Sequence, residues 1–189
     1  MRISVWDRGL DDNYLKLITQ LGADAIDFGT DSSFPGVQEQ GYPDLDELLK
    51  IKKKIHSWGL EINRVTLPNI SEKFMSGQDD SEIELENTTK ALHVFAEAGC
   101  PLVRQRFAGD TFPQLMTRYQ SRHRGGYKSR GESRYLTKGK PQTPALQDLE
   151  LWWERFCLVY QALVPIAEDT GIKLAIHPSD VPNPDTPLG

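Results

Sequence analysis

The sequence predicts an α/β protein, specifically a (β/α)8 barrel of which this chain supplies about the first five βα units. Three observations lead to this prediction. Short apolar runs alternate with amphipathic stretches along the 189 residues, as parallel strands and their helical crossovers do. Within these apolar runs, the polar side chains alternate onto one face of the predicted sheet. The chain is also shorter than the roughly 250 residues of a complete barrel, so we predict a partial one.

The apolar runs are predicted to be strands because they are short, rich in Ile, Val and Leu, and bounded by Gly, Pro or Asp. They cover Arg2–Trp6, Asp24–Gly29, Leu60–Leu67, Leu102–Phe107 and Lys173–His177. No GxGxxG motif follows the first run, so a dinucleotide-binding sheet has no support.

Helices are predicted between the strands, where apolar residues recur three and four positions apart. The stretches cover Tyr14–Leu21, Leu48–Trp58, Glu86–Ala98 and Ala145–Thr170. A glycine follows each stretch directly, as a left-handed helix C-cap favours. Pro165, inside the last stretch, predicts a kink or an interruption there.

Strand parity favours the barrel over a doubly wound sheet. Successive side chains of a strand point to opposite faces, so Ile26 and Phe28 oppose Asp27. In the fourth run, Arg104 and Arg106 share the face opposite to the apolar residues. A doubly wound sheet needs two apolar faces, whereas a barrel enzyme places its polar site inside, at the carboxyl ends of the strands.

Composition restricts the class of protein. The formal net charge is -5, and this mild acidity weighs against nucleic-acid binding. No apolar run is long enough to span a membrane, and we expect no secretory signal at the N-terminus. Cys100 and Cys157 are too few for a disulfide framework or a four-thiolate zinc site. We therefore expect a cytoplasmic protein with reduced thiols.

One segment has the opposite charge to the rest of the chain. Residues 118–140 contain eight Lys and Arg against one Glu, and the remainder contains 14 against 26 acidic residues. We predict a long basic βα loop at 110–144, inserted within a single domain, 1–189. Its glycines suggest a lid over an anionic sugar acid, and RNA contact or a solvated loop or oligomer contact are the alternatives. The lid residues predicted to bind the substrate are His123, Arg124 and Tyr127.

His177 is the strongest single candidate for chemistry. It ends the fifth run on the polar face, and Pro178, Ser179 and Asp180 follow it. An imidazole at the end of a barrel strand suits a metal ion, and a neighbouring carboxylate can orient it. The alternative is a structural histidine held by hydrogen bonds.

Four further charged residues lie at predicted strand ends: Asp27, Arg64, Arg104 and Arg106. Burying a charge is costly unless it is paired or meets a ligand. Because a guanidinium binds carboxylate or phosphate groups through two parallel hydrogen bonds, we predict substrate binding here. An internal ion-pair network of Asp and Arg is the alternative.

The segment KLAIHPSDVPNP resembles the mannonate dehydratase family of xylose-isomerase-like barrels, which carries a His-Pro-Asp-Asp-Pro-Pro motif at a strand end. Here the motif reads His177-Pro178-Ser179-Asp180-Val181-Pro182. Ser179 and Val181 are the departures. The resemblance implies a divalent metal, Mn²⁺ or Fe²⁺, held by His, Cys, His and Asp, of which the first ligand maps onto His177. It also implies the removal of water from D-mannonate to give 2-keto-3-deoxy-D-gluconate.

We therefore predict a metal-dependent hydro-lyase of carbohydrate metabolism, truncated and weakly active or inactive as this chain alone. Its general acid and base are not identified. A sugar isomerase or epimerase of the same superfamily is one alternative, and a non-catalytic binding protein that uses the basic loop is another. We expect a small-molecule sugar acid as partner and no membrane. The sequence disfavours nucleic acid and leaves a homo-oligomer open.

Overall fold

A five-stranded parallel sheet lies in the first of two units of the chain. The computed structural model describes residues 1–28, 34–79, 81–107, 118–132 and 149–176. The first unit comprises Met1–Ala108 and Glu150–His177, and the second comprises Gly109–Leu149 and Pro178–Gly189. The basic loop predicted at 110–144 falls within the second unit, and the single domain over 1–189 stays a prediction.

The strands of the described ranges are β1 (Ser4–Trp6), β2 (Ala25–Asp27), β3 (Glu61–Thr66), β4 (Leu102–Gln105), β5 (Arg118–Arg122), β6 (Lys128–Glu132) and β7 (Lys173–Ile176). The first unit's sheet has the order β1-β2-β3-β4-β7, and every neighbouring pair is parallel. The five predicted strands are thus confirmed, as is a parallel α/β sheet.

The helices of the described ranges are α1 (Asp12–Gln20), α2 (Val37–Gln40), α3 (Leu45–Ser57), α4 (Glu72–Met75), α5 (Ile83–Glu97) and α6 (Leu149–Thr170). The four predicted helices correspond to α1, α3, α5 and α6. The helices α2 and α4 were not predicted, because a single turn is too short to show a helical period. Within the described ranges, no helix has the length and apolar character needed to cross a bilayer.

Local signals define the helix ends. Asp44 caps α3, since its side chain accepts a hydrogen bond from the Glu47 N–H at 2.9 Å. Gly59 follows the same helix with a φ of 72°, and its N–H donates to the His56 carbonyl oxygen. Pro165 lies inside α6, which continues to Thr170, so of the two predicted effects the interruption does not occur.

The apolar face of the sheet forms the core with the helices. Its strand residues Ile26, Ile62, Val65 and Val103 are at most 5% exposed. The helices contribute Leu15, Leu48, Ile55, Leu92, Phe95 and Leu163 to the same cluster. These buried residues lie on the face that alternation predicts to be apolar. Gln105 and the exposed Ile176 depart from that pattern on the same face.

The second unit contains an antiparallel hairpin of β5 and β6 where the sequence predicted only a loop. The register places Arg118 opposite Glu132 and Arg122 opposite Lys128. A short 3₁₀ turn, Arg124–Gly126, connects the strands. Sequence reasoning missed the hairpin because its strands are polar throughout, so the apolar alternation that marks a half-buried strand is missing.

Candidate functional site

A β-bulge in β3 brings polar side chains together on the sheet. Ile26 pairs with Ile62, but the next residue of β2, Asp27, pairs with Arg64. Asn63 is therefore the extra residue of a bulge, a feature over-represented beside active sites. Both Asn63 and Arg64 consequently reach Asp27, although regular alternation would point them to opposite faces.

The carboxylate of Asp27 is the centre of this cluster. Its Oδ1 accepts hydrogen bonds from the Ser4 hydroxyl at 2.8 Å and from the Asn63 amide at 2.7 Å. Its Oδ2 lies 3.6 Å from Nε of Arg64, and the two side chains are 24% and 15% exposed. Asp27 and Arg64 thus form a partly buried ion pair, the alternative that the sequence left open beside substrate binding.

Arg64 also lies over an aromatic ring. Its guanidinium carbon is 5.5 Å from the centroid of the Trp6 ring, and Trp6 is 48% exposed. The Trp6 carbonyl accepts a hydrogen bond from the Tyr14 hydroxyl. Burial, assisted by the charge of Asp7, raises the pKa of Tyr14 and keeps this hydroxyl a donor. The Tyr14 contact thereby holds the backbone at the carboxyl end of β1.

The strand register extends the polar face across the sheet. Partners in a parallel register point to the same face. Trp6 pairs with Asp27, Asp27 with Arg64, and Thr66 with Arg104. Arg104 is only 8% exposed. The structure therefore brings the predicted Asp27, Arg64 and Arg104 to one face.

Arg106 follows the end of β4 and is half-buried. Its carbonyl oxygen accepts hydrogen bonds from the Ile70 N–H at 3.0 Å and the Gln105 side-chain amide at 2.7 Å. The substrate-binding role predicted for Asp27, Arg64, Arg104 and Arg106 stays a prediction.

Sequence reasoning missed three members of this cluster. Strand alternation was enough to predict Ser4 and Trp6, because both side chains lie on the same face of the sheet as Asp27. Asn63 could not be found in this way, since the bulge depends on the pairing of two strands far apart in sequence.

The predicted lid residues lie on the hairpin of the second unit. The His123 N–H donates to the Tyr127 carbonyl oxygen at 2.7 Å, and His123 Nε2 lies 2.5 Å from the Ser129 hydroxyl. The rings of His123 and Tyr127 are 5.6 Å apart. Both residues and Arg124 are exposed, so within this unit they form an accessible polar tip.

The predicted metal ligand, His177, lies outside the described residues. Within the ranges that are described, no group of three or more His, Cys, Asp or Glu side chains could hold a metal ion. Asp27 does not suit a cation, because it accepts two hydrogen bonds and faces Arg64. Burial raises the pKa of Cys100 to about 11, so this thiol is neutral and a poor ligand. His56 pairs with Glu61 on the surface.

The fold of this chain is found in several solved structures at low sequence identity. The crystal structure of D-psicose 3-epimerase with D-tagatose from Clostridium cellulolyticum H10 matches with a TM-score of 0.53 and 14% identity, over 93% of this chain and 52% of that chain. No family profile matches the sequence.

The more specific similarity is to mannonate dehydratase. The crystal structure of the Streptococcus suis enzyme matches with a TM-score of 0.71 and 22% identity, covering 95% of this chain and 53% of that one. A curated mannonate dehydratase of Streptococcus suis is 24% identical over 170 residues, 76% of this chain and 45% of the relative. The chain has a mannonate dehydratase-like fold, which confirms the predicted resemblance. It spans about half the length of these relatives.

Proposed function

We propose that this chain forms the first five βα units of a (β/α)8 barrel whose activity is the dehydration of a sugar acid, D-mannonate, to 2-keto-3-deoxy-D-gluconate. The observation that carries the proposal is the match to mannonate dehydratase over 95% of the chain. Because the chain spans about half of that protein, the activity of the whole barrel is part of the proposal.

Arg64 is the proposed ligand for the substrate carboxylate. Its Nε faces Asp27, and its terminal nitrogens make no hydrogen bond to any other residue that the structure describes. Those nitrogens can therefore donate two parallel hydrogen bonds to a carboxylate. Arg104 and Arg106 add positive charge at the same end of the sheet, which favours an anionic ligand over a neutral sugar.

A divalent metal, Mn²⁺ or Fe²⁺, belongs to this proposal, with His177 as its first ligand. A bound metal would polarise oxygen ligands and stabilise developing negative charge. The proposal also includes His123, Arg124 and Tyr127 as substrate contacts. Their support is exposure, together with the lack of any ion-pair partner for Arg124 within the described ranges.

Calorimetric titration tests the carboxylate site. We expect D-mannonate to bind and D-mannose, which has no carboxylate, to bind at least tenfold more weakly. Arg64→Met should remove this preference, whereas Lys53→Met, at an exposed position of α3, should keep it. Equal affinity for the two sugars would contradict the proposal.

A sugar isomerase or epimerase is the second candidate, supported by the match to D-psicose 3-epimerase. Product analysis distinguishes the two. With D-mannonate and Mn²⁺, a dehydratase forms a 2-keto-3-deoxy acid, whereas an epimerase retains every hydroxyl group.

The exposed hairpin cations favour a non-catalytic binding role as a third candidate. Salt-sensitive RNA affinity, lost on neutralising Arg122, Arg124 and Arg130, would support it. A cytoplasmic location and a homo-oligomer stay predictions.

A further inference from the structure

We propose that Asn63 is a positioning residue that holds Arg64 toward its ligand by fixing the carboxylate of Asp27. The inference rests on the proposed function in one respect, namely that Arg64 binds the carboxylate of a sugar acid. Asn63 itself touches no substrate in this proposal and acts only through Asp27.

The bulge brings two successive side chains of β3 to Asp27. An extra residue in β3 places the Asn63 amide 2.7 Å from Oδ1 of Asp27 while Arg64 stays beside Oδ2. In a regular ladder, Asp27 would pair with Asn63, and Arg64 would point to the other face. The inserted residue thus lets two successive side chains serve one carboxylate.

The two oxygens of the Asp27 carboxylate have different partners. Oδ1 receives two donors, the Ser4 hydroxyl and the Asn63 amide, whereas Oδ2 faces the guanidinium. Two hydrogen bonds to one oxygen oppose rotation of the carboxylate about its last side-chain torsion. Oδ2 therefore keeps one direction, and Arg64 is held between it and the Trp6 ring.

The consequence is that Arg64 presents its terminal nitrogens rather than its Nε to a ligand. If the Asn63 amide is removed, Asp27 can rotate and Arg64 samples other orientations. The cost of orienting Arg64 would then be added to ligand binding, which lowers the affinity.

Nuclear magnetic resonance of arginine side chains tests the proposal without any ligand. The Arg64 Nε–H signal is assigned by its loss in Arg64→Lys. In Asn63→Leu we expect solvent exchange of this proton to become about fivefold faster, the effect of losing one net hydrogen bond. Asn63→Ala, which removes the amide without adding bulk, decides the matter if Asn63→Leu does not fold. Ser4→Ala, a change at the same oxygen, should act in the same direction. Asn13→Leu, at an exposed position of α1, is the matched control.

A double-mutant cycle separates positioning from general stability. If Asn63 acts through Asp27, Asn63→Leu should have no further effect on Arg64 exchange in an Asp27→Ala background. Equal effects in both backgrounds, or unchanged exchange in Asn63→Leu and Ser4→Ala, would overturn the proposal.

Titration with D-mannonate completes the test. We expect about fivefold weaker binding to Asn63→Leu than to the wild type. If the wild type binds and Asn63→Leu binds equally well, the positioning role is wrong. If the wild type fails to bind, the proposed function is wrong, while the exchange measurements still decide whether Asn63 positions Arg64.

Discussion

Arg64 on the parallel sheet and Arg122 on the antiparallel hairpin have the same side chain in opposite surroundings. The Arg64 side chain is 15% exposed and has a carboxylate 3.6 Å from its Nε. Arg122 is exposed, lies opposite another cation, Lys128, and has no ion-pair partner within the described ranges. Burial requires a charge to be paired, whereas water solvates it without a partner.

This difference bears on how each region would bind an anion under the proposed function. On the sheet, the Asp27 pair orients one arginine in a partly buried place, so binding there would be directional. On the hairpin, repulsion between Arg122 and Lys128 would fall when any anion approaches, so binding there would depend on charge and salt. Substitutions in each region test this contrast.

Replacing Asp27 should have the largest effect. Asp27→Ala leaves Arg64 partly buried without its carboxylate and removes the acceptor of Asn63 and Ser4. We expect unfolding by urea to show a loss of about 2 kcal/mol.

Asp12→Ala is the control for this loss, because it breaks an exposed ion pair with Lys54 and should change little. A similar loss in both variants would mean that burial does not distinguish the sheet pair from a surface pair.

The buried thiol of Cys100 should make the free energy of unfolding depend on pH. Burial raises its folded pKa from 9.0 to about 11, so above pH 9 the thiol ionises in the unfolded chain first. The unfolded state then loses protons before the folded state does, and stability falls as the pH rises. We expect the wild type to lose about 1.4 kcal/mol relative to Cys100→Ala by pH 10.

Urea unfolding at pH 8 and pH 10 checks this loss. Cys157→Ala, which retains Cys100, should show the same fall as the wild type. A wild type and a Cys100→Ala variant with parallel pH profiles would contradict the buried, neutral thiol.

Reversing one charge on the hairpin should have a smaller effect, namely slower exchange of a backbone amide. Arg122→Glu replaces a repulsive cross-strand pair with an attractive one, so the hairpin opens less often. We expect the amide exchange of His123, which donates to Tyr127, to slow roughly two- to fivefold.

Arg118→Glu is the matched control, because it places two acidic residues opposite each other at 118 and 132. The exchange of the same amide should become faster. Changes of the same sign in both variants would show that cross-strand charge does not control the hairpin.

Salt should have the smallest effect. Raising the ionic strength above about 0.1 M shortens the screening length below about 10 Å and weakens repulsion between exposed charges. The His123 amide should become slightly more protected, while Arg64 Nε–H exchange changes less because its pair is partly buried. A larger salt effect on Arg64 Nε–H exchange than on the His123 amide would show that the sheet pair is no better shielded than the hairpin charges.

Local patterns were sufficient for most of the fold. The five strands and four long helices could be predicted from apolar periodicity, and glycines such as Gly59 from the ends of those patterns. The polar face could also be predicted in part, since alternation alone placed Asp27 opposite Ile26. The family resemblance rested on one short motif, whose His177 lies outside the described residues.

Tertiary structure decided which side chains meet. The bulge at Asn63 depends on the register between β2 and β3, and the Asp27–Arg64 pair depends on the bulge. The hairpin is held by cross-strand pairing rather than by an apolar face, so periodicity could not reveal it. The physical reason is the same in both cases. Helices and buried strands leave a periodic trace within one segment, whereas register and charge pairing are properties of two segments that only folding brings together.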